Sequence, residues 1–178
     1  EEGRMMTEAE VKTQIQAPDD CSSLAEYLEK FDLPVSLLQT TRGLETAAYD
    51  LARSAAGENV KYIEVRFAPV FSMTKGLKIP QIIEAVQKGL QRAQEDFGIY
   101  SGIRVCAMRH LDMQTNINML HEAMELYGAG VVGCDIAGDE KPHTNLEYKE
   151  FFDDARRLGI TFTIHSGECG NAVNIHEA

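Results

Sequence analysis

Near the end of the chain, the apolar run ITFTIH (160–165) is followed by Ser166, Gly167 and Glu168. A histidine that ends a strand can aim its imidazole at a metal ion. A glutamate three residues on, beyond a flexible Ser-Gly turn, can reach back over the same site. Such a pair supports one kind of chemistry: a metal-activated water beside a carboxyl that moves protons to and from a substrate. The plainer reading is a histidine satisfied by a backbone carbonyl and a solvated glutamate. One histidine does not make a metal site, because catalytic zinc takes about three protein ligands.

Other polar residues fall at comparable places. In CDIAGDE (134–140), Asp135 sits inside an apolar run and would be costly if buried alone, so it needs a partner. Gly138 has no Cβ to keep a ligand away from the backbone N–H groups, although a strand end and polar turn explain the stretch equally well. In EVRF (64–67), Glu64 and Arg66 are two apart and share a strand face, which predicts a structural ion pair. Arg109, His110 and Asp112 are expected to be structural, and His121, His143 and His176 to lie at the surface. Leu24, Tyr27, Leu28 and Phe31 fall on one helical face. That face is plain core unless the helix lies over a pocket mouth.

The elements that must position these residues alternate in period. Thr7 to Glu10 has the capping-box form and predicts a short helix. Helical spacing returns over 23–33 until Pro34 breaks or kinks it, and again over about 42–56. Strands are then predicted at 60–70, 103–108, 131–138 and 160–165. Between them come helices from Pro80 to about Phe97, from about Thr115 to Tyr127, and over 146–158, with Gly98, Gly128 and Gly159 just past their ends. Steps of about 28 to 43 residues between strand starts match βα units with right-handed crossovers, so the strands should be parallel. Their apolar composition predicts cover on both faces. No Gly-rich turn follows the first strand, which disfavours a doubly wound nucleotide fold. The remaining choice is an α/β chain forming part of a (βα)8 barrel, with catalytic groups at the C-terminal ends of its strands. The expected organisation is one incomplete domain: residues 1–59 as a helical region over the barrel mouth, and 60–178 as four βα units. The chain opens within a helical region and closes as another helix starts, so an internal segment of a longer protein is expected.

With 17 Lys+Arg against 28 Asp+Glu, the formal charge of −11 disfavours phosphate backbones and anionic membranes and favours a small-molecule or protein partner. No run reaches the roughly 18 apolar residues of a membrane helix. Cys21, Cys106, Cys134 and Cys169 form no C-x-x-C pair, which excludes zinc-ribbon and thioredoxin readings and fits a reduced, cytoplasmic setting.

Four stretches in order, SLAEYLEKFD (23–32), KYIEVRFAP (61–69), VVGCDIAGDE (131–140) and TIHSGECG (163–170), resemble the adenosine deaminase family of metal-dependent hydrolases. The resemblance covers essentially the whole chain. It implies a (βα)8 barrel with one zinc ion at its mouth and hydrolytic deamination of adenosine or deoxyadenosine to inosine or deoxyinosine plus ammonia. His165 matches the family's strand-five zinc ligand, and Glu168 the glutamate that protonates the purine ring nitrogen beside the attacked carbon. Gly138 matches the glycine whose N–H meets another ring nitrogen. Leu24, Tyr27, Leu28 and Phe31 match an apolar gate over the substrate. Ser166 stands where alanine is common in the family. The AGDE stretch favours a nucleoside over a free base. The H-x-E and P-C-x-x-C signature of the cytidine-deaminase site does not occur.

The family's H-x-H pair does not occur in these 178 residues, and the histidine and strand-end Asp-Asp pair that the family carries after these strands are missing too; Asp19-Asp20 falls in a turn and Asp153-Asp154 in a predicted helix. The four strands therefore correspond to barrel strands two to five. By itself the chain is expected neither to hold catalytic zinc, of which His165 would be one ligand, nor to deaminate. The rival expectations are a catalytically silent half-barrel or purine-binding remnant, and a deaminase of a related aminopurine or modified nucleoside.

Overall fold

The computed structural model describes residues 5–168 and 172–178. Cys169 and the end of the TIHSGECG stretch lie outside the described residues. The first helix, α1 (Glu8–Ile15), starts at Thr7, whose hydroxyl accepts from Glu10 N while the Glu10 carboxylate accepts from Thr7 N. The next stretch is not one helix ended by Pro34. α2 (Leu24–Leu28) passes into a 3₁₀ turn at Glu29–Phe31, and α3 (Asp32–Leu37) follows. Pro34 is accommodated within the first turn of α3, where a missing N–H removes no helical bond. α4 (Thr41–Gly57) then leads into the sheet.

The strands β1 (Tyr62–Phe67), β2 (Tyr100–Met108) and β3 (Val131–Ala137) lie parallel in that spatial order. They are joined by α5 (Ile79–Phe97) and α6 (Met113–Met124), and α7 (Lys149–Leu158) follows β3. Gly98 and Gly159 close α5 and α7 in the left-handed conformation, at φ 67° and 72°. The last described helix is α8 (Ala172–Glu177). Parallel strands with helical crossovers make this part of a (βα)8 barrel.

The fourth expected strand is only partly formed. Residues 161–165 run extended and parallel along β3: Cys134 N donates to Thr161 O (2.9 Å), Thr163 N to Cys134 O (3.0 Å), and His165 N to Ile136 O (3.2 Å). One bridge, Cys134 with Phe162, is all that ladder geometry defines. The segment is bonded along its β3 side, which fixes direction and register with few ladder bonds.

The two faces of the sheet differ, against the expectation of apolar cover on both. Val65, Ile103, Val105, Ala107, Cys134 and Ile136 alternate onto the helical side, where they are buried with Ile82, Ile83, Val86, Leu120 and Phe151. The opposite face carries Glu64, Arg66, Arg104, Cys106 and Asp135, linked to one another by ion pairs and hydrogen bonds. In a closed barrel, that face is the interior.

Candidate active site

β3 and the segment beside it bring two of the singled-out residues together. Asp135 points to the interior face with its side chain 2% exposed, and His165 Nδ1 lies 2.9 Å from its Oδ2. The other carboxylate oxygen accepts from Ile136 N at 2.8 Å, and Arg66 Nε lies 3.5 Å from Oδ2. The partner that a buried Asp135 requires is therefore a histidine and an arginine. With Nδ1–H directed at the carboxylate, the His165 lone pair is at Nε2, the nitrogen available to a metal. The Glu64–Arg66 pair expected from spacing does not form. Glu64 instead pairs across the ladder with Arg104, while Arg66 reaches Asp135 and Cys106 Sγ (3.7 Å). Arg104 takes Glu64 on the neighbouring strand, while Arg66, opposite Arg104 in register, reaches over β2 to Asp135 on β3.

Glu168 follows three residues after His165, with an exposed side chain. Its backbone N–H donates to Glu140 Oε1 at 2.5 Å, and that of Gly167 to Glu140 Oε2 at 2.9 Å. Gly138, at the end of β3, is buried with φ +111°. A Cβ there would lie 3.3 Å from Arg109 N and 3.4 Å from Arg109 Cβ, so both the conformation and the space favour glycine.

Leu24, Tyr27, Leu28 and Phe31 are not core: none is buried, and Tyr27 and Phe31 are 43% and 48% exposed, edge-to-face at 5.6 Å. Their elements pack mainly on α1 and α3. Buried Gln39, just beyond α3, fixes this helical region to the C-terminal side of β1. Its Nε2 donates to Phe71 O (2.6 Å) and its Oε1 accepts from Thr74 N (3.1 Å).

Arg109, His110 and Asp112 take structural positions. Asp112 caps α6 through Thr115 N (2.9 Å), His110 stacks on Phe71 with centroids 5.6 Å apart, and Arg109 is 1% exposed. Burial, reinforced by the nearby Asp135 carboxylate, pushes the Cys106 thiol up to about 12. It is a neutral thiol and not a ligand at ordinary pH. Three residues that the sequence reading left without a role converge on this site: Glu140, Asn145 and Asn174. Glu140 ends the CDIAGDE stretch already singled out after the third strand, but nothing in the sequence marked the asparagines.

A zinc ion would find one suitable group here. His165 has the carboxylate-oriented imidazole that metal sites use. Among the described residues there is no group of three or more His, Cys, Asp or Glu that could hold a metal ion. The donor set fits zinc as one ligand of several.

A parallel βα sheet with a carboxylate-held histidine and a glutamate at the strand ends has the layout of part of a (βα)8 barrel whose candidate site lies at the C-terminal ends of its strands. The adenosine deaminase family model matches residues 5–178, and the chain belongs to the adenosine deaminase family. It is 46% identical over 161 residues to an adenosine deaminase of Streptococcus thermophilus, covering 90% of this chain and 48% of that protein. Among solved structures, it resembles a zinc-bound amidohydrolase from Burkholderia ambifaria (TM-score 0.85, 21% identity, 96% of this chain and 47% of the other), a likeness of fold. It also resembles the N6-methyl-AMP deaminase of Arabidopsis thaliana (TM-score 0.77, 26% identity, 94% and 50%). The chain spans about half the length of the curated relatives it matches.

Proposed function

We propose that the whole protein hydrolyses adenosine or deoxyadenosine to inosine or deoxyinosine and ammonia at a single zinc ion. The observation that carries this reading is the His165–Asp135 contact at 2.9 Å, three residues before Glu168, at the end of a barrel strand. His165 Nε2 would be one zinc ligand. When bound, zinc supplies Lewis-acid activation of water. Glu168 delivers a proton to the ring nitrogen beside the carbon that loses its amino group, neutralising the charge that addition of water places there. The backbone N–H of Gly138 orients the purine through a second ring nitrogen. Leu24, Tyr27, Leu28 and Phe31 form an apolar gate, and residues 1–59 cover the mouth. The exposed Tyr27–Phe31 pair and the Gln39 tether at the strand ends support that placement.

The acidic charge of −11 supports a small nucleoside as partner over nucleic acid or an anionic membrane. Free Cys21, Cys106 and Cys134 support a reducing, cytoplasmic location. No helix among the described residues is long and apolar enough to cross a membrane.

The test is inosine formation and zinc content for the whole protein, its Glu168→Gln variant, and the 178-residue chain alone. The variant is expected to keep zinc and lose about 100- to 10,000-fold in kcat. The chain alone, with one ligand, is expected to show neither stoichiometric zinc nor turnover. Near-normal deamination by the variant would remove Glu168 from the mechanism. An inactive whole protein would favour a purine-binding remnant.

A further inference from the structure

We propose that Glu140, together with Asn145, Asn174 and Arg109, is the positioning element of the catalytic turn, holding each residue from His165 to Glu168 by a buried side chain. The inference rests on the deaminase reading above.

The contacts run residue by residue. Arg109 Nη2 donates to His165 O at 2.7 Å. Asn145 Nδ2 donates to Ser166 Oγ at 2.9 Å. The Glu140 carboxylate accepts from Gly167 N at 2.9 Å and Glu168 N at 2.5 Å. The holders are themselves joined. Arg109 Nη2 donates to Asn145 Oδ1 (2.5 Å), Asn145 Nδ2 to Asn174 O (2.7 Å), and Asn174 Nδ2 to Glu140 Oε2 (2.7 Å). All four are 4% exposed or less. Gly167 completes the turn at φ +78°, with Ile175 carbons 2.6 Å from where a Cβ would stand.

A surface turn needs none of this. Four polar side chains, two of them charged, have been taken out of water, a cost that the bonds among them and to the turn offset, although Arg109 Nε is buried without a partner among the described residues. The side chain they do not enclose is Glu168, which is left exposed above a backbone held at His165, Gly167 and Glu168 itself. A proton donor mounted on a free Ser-Gly turn would sample positions ångströms apart, and a displacement of about 1 Å costs about 100-fold in rate. Glu140 removes that freedom while leaving the Glu168 carboxyl able to meet substrate. It acts through Glu168 and does not touch the reacting atoms.

Glu140→Gln in the whole protein is the test, because it keeps the shape of the side chain but turns an N–H₂ toward donors that need an acceptor. Two measurements separate positioning from bare stability: amide hydrogen exchange at Gly167 and Glu168, and kcat per bound zinc against KM for adenosine. The expected result is exchange faster by about tenfold and kcat lower by about 100-fold, with KM within about threefold and zinc retained. Exchange faster with kcat per zinc within twofold would overturn the proposal, as would unchanged exchange. If Glu140→Gln does not fold, Asn174→Ala decides. It removes a single donor to Glu140 and is expected to lower kcat about 3- to 10-fold at constant KM; an unchanged kcat would overturn the proposal. A wild-type protein with no deaminase activity sinks the underlying reading instead, and exchange alone then judges the clamp.

Discussion

His165 Nδ1 lies 2.9 Å from Asp135 Oδ2, across the join between β3 and the extended segment beside it. The carboxylate is buried, so the contact fixes the tautomer as well as the ring orientation. In Asp135→Asn, the amide oxygen would face Ile136 N and the N–H₂ would face Nδ1, forcing the imidazole proton onto Nε2. The expected outcome is zinc affinity lower by about 10- to 100-fold in the whole protein, measured by chelator competition. A dissociation constant within threefold of wild type would show that Asp135 does not set the tautomer.

That contact was half legible in the sequence. A lone aspartate in the apolar run VVGCDIAG demanded a partner, but the run itself did not say which. Local signals were equally readable: the Thr7–Glu10 capping box, and the glycines that end α5 and α7. Longer-range choices were not. Asn145 and Asn174 meet partners 21 to 36 residues away, which no spacing rule reports. The Glu64–Arg66 expectation failed for the same reason, since strand register decides which arginine meets which carboxylate. The 160–165 run has strand composition, but a strand also needs ladder partners, and composition does not report how many are present.

Helix α5 lies so close to α4 that a Cβ on Gly89 would fall 2.2 Å from Glu45 O and 3.0 Å from Ala48 Cβ. Backbone cannot yield there without moving a helix. Gly89→Ala is therefore expected to destabilise the whole protein by about 1–3 kcal/mol in urea unfolding. Gly57→Ala is the control: nothing lies within 4 Å of a Cβ there, at the end of α4, and helix propensity predicts a gain of about 0.5–1 kcal/mol. Equal effects of the two substitutions would mean that the close approach is not the cause.

The buried thiols give a prediction that depends on pH. Burial pushes Cys106 and Cys134 each up to about 12, with the Asp135 carboxylate acting in the same direction. An unfolded thiol ionises near about 8.5. The folded state thus favours the neutral form, and this contribution to stability is fully present below about pH 8.5 and lost progressively as pH rises toward 12. Unfolding midpoints should accordingly fall across that alkaline window, and fall less in a Cys106→Ala, Cys134→Ala variant. At pH 8 the folded thiols are about 10⁻⁴ ionised, whereas Cys21 is partly exposed and outside the core. Iodoacetamide followed by peptide mapping should modify Cys21 at least about 100-fold faster than either buried cysteine. Comparable rates at all three positions would mean that both faces of the sheet, the helical side at Cys134 and the opposite side at Cys106, open to solvent on the timescale of alkylation.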